Sequence, residues 1–240
     1  MKDILKEEIN KIGIQLDDEQ MNQFLKYYDL LTEWNRFMNL TAITDYKEVI
    51  QKHFVDSLSI IKAIDIEYLQ EDKHLIDIGT GAGFPGIPIK IVFPKLKITL
   101  LDSLNKRIKF LNEVIGGLKL KDIEAIHGRA EDYARHEKYR EQYDVCVSRA
   151  VANLSTLSEY SLPFVKTGGY FTSYKAENIE EEIKNSKNAV TLLGGNIDKI
   201  VRFNLPDTDI KRAFIIIRKE KPTNKKYPRK SGIPSKEPLK

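Results

Sequence analysis

The sequence predicts an α/β fold built on a mostly parallel sheet, and three observations predict it. From His74 onward short apolar runs alternate with amphipathic segments, the pattern of strands joined by crossover helices and covered on both faces. One of these runs, Leu75-Ile76-Asp77-Ile78, leads into a glycine-rich turn that opens a helix, the strand-loop-helix arrangement of ligand sites in open α/β sheets. The last two apolar runs are separated only by Leu205-Pro206-Asp207-Thr208-Asp209. A connection that short permits an antiparallel pair and not a crossover, so the sheet is expected to end antiparallel.

Residues 1 to about 64 read as helical. Phe24, Leu25, Tyr28, Leu30 and Leu31 make an apolar stripe that continues to Trp34, with Asp17 or Asp18 as its N-cap. A second helix is predicted from near Asp45, with Val49, Ile50, Phe54, Leu58 and Ile61 facing inward. Seven strands follow, at 75–79, 97–102, 123–127, 144–148, 169–174, 197–204 and 212–219. Helices are predicted between them at 86–93, 105–116, 153–163 and 177–193. These segments divide the chain into an N-terminal helical extension (1–66), an α/β domain (67–220) and a tail (221–240).

With 240 residues, 41% of them hydrophobic and 31% charged, the chain can bury one substantial core. No stretch approaches the roughly 18 apolar residues of a membrane span, and the charged N-terminus lacks the apolar region of a signal peptide. The single cysteine, Cys146, excludes an internal disulfide and leaves no metal-thiolate set. A soluble, cytoplasmic protein without a metal is expected. The net charge of +4 is unevenly placed: residues 221–240 hold seven basic side chains against Glu237 alone, so the tail is +6 and the rest −2. Interleaved prolines (Pro222, Pro228, Pro234, Pro238) argue against a helix or central strand there. The tail is expected to be either a solvated terminus or an electrostatic arm for a polyanion such as RNA.

The glycine loop can be read in two registers. Gly81-Ala82-Gly83-Phe84-Pro85-Gly86 matches the dinucleotide fingerprint G-x-G-x-x-G. In that register Pro85 and Pro88 offer no N–H at the helix start, and the Phe84 ring lies near where phosphate oxygens must sit, which is poor phosphate chemistry. The alternative unit is Asp77-x-Gly79-x-Gly81-x-Gly83, with a carboxylate just before the first glycine. That charge repels a pyrophosphate and attracts a ligand carrying an ammonium and a sulfonium, which describes S-adenosyl-L-methionine. The second register is therefore preferred. Asp102, ending the next strand about 20 residues on, suits ribose hydroxyls under either register. An acid after the third strand, in Gly128-Arg129-Ala130-Glu131-Asp132, is placed to accept from an adenine amino group or simply to favour a helix N-terminus.

The combination Trp34-Asn35-Arg36-Phe37-Met38-Asn39-Leu40-Thr41, His53-Phe54-Val55-Asp56-Ser57-Leu58 and Asp77-Ile78-Gly79-Thr80-Gly81-Ala82-Gly83-Phe84-Pro85-Gly86 closely resembles the small-subunit ribosomal RNA methyltransferase G family, also called glucose-inhibited division protein B. Gly128-Arg129-Ala130-Glu131, Ser148-Arg149-Ala150 and Tyr227-Pro228-Arg229 with Gly232-Ile233-Pro234 extend the resemblance over nearly the whole chain. It implies a Rossmann-like class I S-adenosylmethionine-dependent methyltransferase that methylates N7 of a guanine, conventionally nucleotide 527, in 16S rRNA of the small ribosomal subunit. By position it implies cofactor contacts at Gly79, Phe84, Ala130, Glu131 and Arg149, which join Asp77 and Gly81 from the loop and Asp102 from the end of the next strand. Arg149, at a strand end, is placed to face both cofactor and RNA, its ordinary alternative being a surface ion pair.

The rest of the sequence agrees with a ring-nitrogen acceptor. Guanine N7 has a free lone pair, so no proton must leave, and alignment can supply the catalysis. His53, His74, His127 and His136 are scattered and none stands out as a base. Cys146, within Val145-Cys146-Val147, reads as core, against the thiolate nucleophile of a pyrimidine C5 methyltransferase. No Pro-Pro dipeptide is present, against an exocyclic-amine methyltransferase. No catalytic side chain is therefore assigned beyond a positioning role for Arg149. The N-terminal helices and tail are expected to form an RNA platform, with Asn39, Lys225, Lys226, Arg229 and Lys230 as candidate contacts and Arg36, Lys175 and Arg202 as weaker ones whose ordinary reading is a solvated side chain. Asn39 is read either as a contact to a flipped guanine or as a cap on local backbone, with the cap preferred. Two other expectations stay open: a nicotinamide-dependent dehydrogenase, and a non-catalytic RNA-binding or assembly factor on the same fold. A monomer is expected.

Overall fold

The computed structural model describes residues 1–149 and 152–240; Ala150, part of one quoted motif, lies outside the described residues. A seven-stranded sheet runs in the order β3-β2-β1-β4-β5-β7-β6. Its strands are β1 (His74–Ile78), β2 (Lys97–Asp102), β3 (Ile123–His127), β4 (Tyr143–Arg149), β5 (Val165–Lys175), β6 (Gly195–Asn204) and β7 (Lys211–Lys219). β7 alone is antiparallel to its neighbours, as the short 205–209 connection requires. Strand order reverses beside β1, so the crevice outside the carboxyl ends of β1 and β4 is the switch point where ligands bind.

Successive residues of the central strands point to opposite faces. Leu75, Leu100, Val145 and Val147 enter one apolar core, while Ile76, Leu101 and Cys146 enter the other. The first core is covered by α1 (Lys2–Asn10), α2 (Asp18–Met38) and the helices that follow β1 and β2. Asp17 caps α2 through a capping box: its carboxylate accepts from Gln20 N at 2.8 Å, and the Gln20 side chain accepts from Asp17 N at 3.1 Å. Gln20 also donates to Ile91 O at 3.0 Å, tying the cap to the helix after the glycine loop. Met21, Phe24, Tyr27 and Leu31 form the buried stripe of α2.

The helix expected from Asp45 is not continuous. Asp45 does cap its first turn, accepting from Glu48 N at 3.0 Å. The segment then passes through α3 (Tyr46–Val49), a π turn (Ile50–Val55), α4 (Asp56–Leu58) and a 3-10 turn (Ser59–Lys62). The π turn breaks the regular spacing where His53 sits, a distortion typical of functional positions. After α5 (Ile66–Leu69) and β1 come α6 (Gly86–Val92), α7 (Asn105–Gly117), α8 (Ala130–Tyr133), α9 (Leu154–Ser161) and α10 (Glu180–Leu192).

The tail is neither a solvated terminus nor a free arm. It folds back over the second core face and includes a single turn, α11 (Ile233–Lys236), in which Pro234 occupies the first turn, where amides have no intrahelical partner. Its anchor is Arg229. The Glu159 carboxylate is fully buried and accepts from Arg229 N (2.7 Å), Nε (3.0 and 3.2 Å) and a terminal guanidinium nitrogen (2.8 Å). Arg140 donates to Tyr227 O at 2.9 Å and Thr223 O at 2.7 Å. Thr156 Oγ1 donates to Pro234 O at 3.0 Å, and buried Lys219 donates to Thr223 Oγ1 at 2.8 Å. The tail's basic residues therefore do not act together: Arg229 is an internal ion pair, whereas Lys225, Lys226 and Lys230 remain exposed.

Removing one partner of a buried ion pair strands the other charge, at a cost of about 3–5 kcal/mol. Arg229→Met should lower the urea unfolding free energy by an amount of that order. Lys230→Met, at an exposed neighbour, should change it by less than about 0.5 kcal/mol.

Candidate active site

At the carboxyl end of β1 the chain turns through Gly79, Gly81 and Gly83, whose φ values of +69°, +63° and +95° are costly for any residue with a Cβ. The loop is closed by Asp77. Its Oδ2 accepts from Thr80 Oγ1 at 2.7 Å and from Gly86 N at 2.9 Å. That second bond satisfies the first amide of α6, which has no intrahelical partner. From the other side, the fully buried Tyr27 of α2 donates to Ala82 O. Asp102, at the end of β2, receives Gly81 N on Oδ2 (2.9 Å), Leu104 N on Oδ1 (2.9 Å) and Arg107 on Oδ2 (3.1 Å).

Two adjoining cavities open here. One, of about 430 Å³, is lined by Leu40, Thr41, His53, Phe84, Arg107 and Arg149 together with Gly79, Gly81 and Asp102. The other, of about 130 Å³, is lined by Gly128, Ala130, Glu131 and Tyr160, again with Gly79 and Asp102. The shared residues make one groove across the ends of β1, β2 and β3. The structure thus brings together every cofactor candidate read from the sequence except Asp77.

Asp77 needs correcting. It is fully buried and lines neither cavity, so the groove-facing charge expected of it is absent; its work is to close the loop. Burial pushes its pKa up to about 7, against the opposing pull of the Thr80 and Gly86 hydrogen bonds. Glu131 is also partly committed: its Oε1 accepts from Gly232 N at 2.9 Å, so the tail holds the wall of the smaller cavity. Lys175 is not available to a phosphate, since its ammonium donates to Glu182 at 2.6 Å and Ala152 O at 2.8 Å. Lys225, Lys226, Arg229 and Lys230 line neither cavity. Arg36 and Asn39 are exposed at the end of α2. Asn39 ends that helix through a left-handed backbone (φ 47°, ψ 54°); the cap on Thr41 N comes from Asn35 Oδ1 at 2.9 Å.

The largest omission from the sequence reading is the network around Arg149. The guanidinium donates to Asp56 Oδ2 at 3.1 Å and Lys52 O at 3.2 Å, and its carbon lies 5.1 Å from the centre of the Phe84 ring. Asp56 also receives Arg212 Nε at 2.9 Å. His53 stacks on Phe84 as well, with ring centroids 4.5 Å apart, and meets Thr41 Oγ1 at 2.9 Å. Burial, then the Arg149 charge, lowers the His53 pKa to about 3. A neutral imidazole flanked by an arginine is a packing and hydrogen-bonding group rather than a proton carrier. Thr41, His53, Asp56 and Arg107 come from segments distant in sequence, and only the Asn39-to-Thr41 and His53-to-Leu58 stretches hinted at them. Cys146 is fully buried with its thiol pKa raised by burial, and takes no part.

The strand order, the glycine loop and the acid at the end of β2 define a Rossmann-like class I methyltransferase. The same fold occurs in the fibrillarin pre-rRNA processing protein of Methanococcus jannaschii (TM-score 0.51, 20% identity, covering 68% of this chain and 74% of that one) and in TrmN from Thermus thermophilus (TM-score 0.52, 12% identity, covering 71% and 53%). Residues 20–211 match the family model of rRNA small subunit methyltransferase G (GidB). The chain is 55% identical over 237 residues to the ribosomal RNA small subunit methyltransferase G of Clostridium botulinum (strain Loch Maree / Type A3), covering 99% of this chain and 98% of that protein. It is 56% identical over 241 residues to the protein of the same name from Acetivibrio thermocellus, covering 100% and 97%. The chain belongs to the rRNA small subunit methyltransferase G family, whose methyl donor is S-adenosylmethionine. The residues present fit that donor: the groove is continuous, and a Cβ at Gly81 would meet nothing nearer than Gly79 O at 4.0 Å. No described helix is long and apolar enough to cross a membrane.

Asp77 keeps its proton to near pH 7 when folded but releases it near pH 4 when unfolded. Between those values the folded chain holds the extra proton, so this group's contribution to stability falls as pH rises. Asp77→Asn preserves an acceptor for Thr80 and Gly86 while removing the titration. The variant's stability-versus-pH slope between pH 5 and 7 should therefore exceed the wild type's by up to about 1.4 kcal/mol per pH unit. His53 works in the opposite direction and is common to both proteins. Its imidazole 15N shifts should show no titration above pH 5.

Proposed function

We propose that the chain transfers a methyl group from S-adenosylmethionine to N7 of a guanine in 16S rRNA, the nucleotide conventionally numbered 527. The observation that carries this is Arg149, its side chain only 16% exposed, held by Asp56 and Lys52 O over Phe84 in the cavity that adjoins the groove between Gly79 and Asp102. S-adenosylmethionine supplies a sulfonium-bound methyl; the protein's part is to place an acceptor in line with it. Gly79, Gly81 and the Asp102 carboxylate are placed to hold the donor's methionine and ribose portions, with Ala130 and Glu131 at the adenine.

The chemistry asks for little more. Guanine N7 carries no proton, so the neutral His53 and the absence of another histidine from the lining of either cavity are consistent with it. Positive charge moves from sulfur to purine without changing in amount, so orientation rather than charge creation limits the rate. Arg149 is restrained by Asp56, which positions it to donate to a base edge or phosphate without adding an unpaired cation beside the reacting ring. The larger cavity is lined by Arg107 and Arg149 against the single acid Asp102, a net positive wall that favours a polyanion.

The test incubates purified protein with labelled S-adenosylmethionine and 30S subunits from a strain lacking the gene, followed by digestion to locate the modified base. Label on N7 of one guanine is the expected result. Absence of label on 30S subunits, free 16S rRNA and assembly intermediates, despite cofactor binding, overturns the assignment and favours a non-catalytic RNA-binding factor. Gly79→Asp should abolish cofactor binding. Asp56→Ala should lower kcat/KM for RNA on the order of 100-fold, through loss of Arg149 alignment.

A further inference from the structure

Two large apolar side chains stand uncovered beside the larger cavity. Phe37 is 67% exposed and Leu104 42% exposed. Single exposed apolar residues are ordinary, so the placement of these two is what matters. Helices α2 and α7 run antiparallel: Gln23 donates to Leu118 O at 3.1 Å, and Trp34 meets Phe110 with ring centroids 5.7 Å apart. Three residues further along α2, about 4.5 Å of rise, comes Phe37, which therefore lies toward the N-terminus of α7, where Leu104 and Lys106 stand. Phe37 is four residues from Thr41, at most about 14 Å of chain, and Thr41 lines the cavity. Leu104 adjoins Ser103, which also lines it. Both side chains thus sit on the same rim.

The Phe37 ring is backed rather than loose. Trp34 packs against it with centroids 5.4 Å apart, and Trp34 is itself fixed on Phe110, which is fully buried. Arg36, Lys106 and Lys109 are exposed around this rim and make no ion pair among the described residues, and Arg107 reaches it from the cavity wall. Glu33, one turn back on α2, and Glu113, further along α7, are the acids on these two helices nearest to the rim in sequence. A firmly backed aromatic face flanked by unpaired cations has the chemistry of a single-stranded nucleic acid platform, where a base stacks and phosphates are held beside it.

We infer that Phe37 stacks on an unpaired RNA base flanking the one that enters the cavity, with Arg36 and Lys106 contacting the neighbouring phosphates. The inference rests on the RNA reading above and deepens it. It assigns the α2–α7 rim, rather than the tail, as the surface that grips the strand next to the target. Stacking on a ring is tolerant of base identity, so this contact anchors the strand without selecting its sequence.

The test measures binding of a fluorescently labelled unstructured RNA oligonucleotide to the full chain with S-adenosylmethionine present, which requires no methyl transfer. Phe37→Ala should weaken RNA binding on the order of 10–100-fold while leaving cofactor affinity, circular dichroism and melting temperature unchanged. The slope of log affinity against log salt should also be unchanged, and Phe37→Trp should restore binding. Arg36→Gln with Lys106→Gln should instead flatten that slope, by about 0.7 for each phosphate that is no longer neutralised. RNA affinity of Phe37→Ala within twofold of wild type overturns the inference, as does failure of Phe37→Trp to rescue. Failure of wild-type protein to methylate any ribosomal substrate is a different result and bears on the proposed reaction alone.

Discussion

The carboxylate of Asp77 accepts hydrogen bonds from Thr80 Oγ1 and from Gly86 N, nine residues away along the chain, and the rest of the site is arranged around that closure. Without it the first amide of α6 and the Thr80 hydroxyl would lie buried without partners, and an unsatisfied buried group of this kind costs about 1–3 kcal/mol. Closure also forces the intervening glycines into the left-handed region and brings Gly81 N to the Asp102 carboxylate. One acid at the end of β1 thereby fixes the loop to the acid at the end of β2. The space around Gly86 is as tight as the bond: a Cβ there would stand 2.3 Å from Leu100 Cδ2 and 3.0 Å from Asp77 Oδ2. Loop geometry and helix-to-sheet packing are the same constraint.

The N-terminal helices and the tail brace this groove from opposite faces of the sheet. From one side Tyr27 meets the loop carbonyl of Ala82, Thr41 and His53 complete the larger cavity, and Asp56 holds Arg149 in its wall. From the other, Gly232 N engages Glu131 and Arg229 neutralises the buried Glu159. Neither segment behaves as an appendage. Each carries a charged or polar group that would be costly to leave unpaired, so the seating of each is tied to the shape of the groove.

Much of this was legible in the sequence because its cause is local. Alternating apolar runs and strand-end glycines depend on neighbours a few residues apart, so the strands and their order of types could be read directly, with ends shifted by a residue or a few. The Asp17 and Asp45 caps follow from side chain to amide distances of three residues. What could not be read depends on contacts far along the chain. Asp77 shows as an acid beside glycines, but nothing in the sequence says that its charge turns inward to Gly86. Arg149 and Asp56 lie 93 residues apart, and Arg229 and Glu159 are 70 apart. A run of basic residues between prolines reads as an unstructured arm unless the buried carboxylate awaiting one of them is known. The π turn at His53 similarly has no periodic signature, because it breaks the period that sequence reading relies on.

The polarity of the cavity is set by pairing rather than by titration. His53 is held neutral by burial and by Arg149; Arg149 is held in place by Asp56; Asp102 is engaged by Arg107 and two backbone amides. A site built to remove a proton would keep a basic group near neutrality and within reach of its target, whereas burial and the Arg149 charge hold the His53 imidazole far below that range. A site built to align two partners has a different need, namely rigid walls whose charges do not change when the partners arrive. An acceptor that attacks through an existing lone pair is the kind of substrate such walls can serve, because every contribution to its rate comes from where it is held.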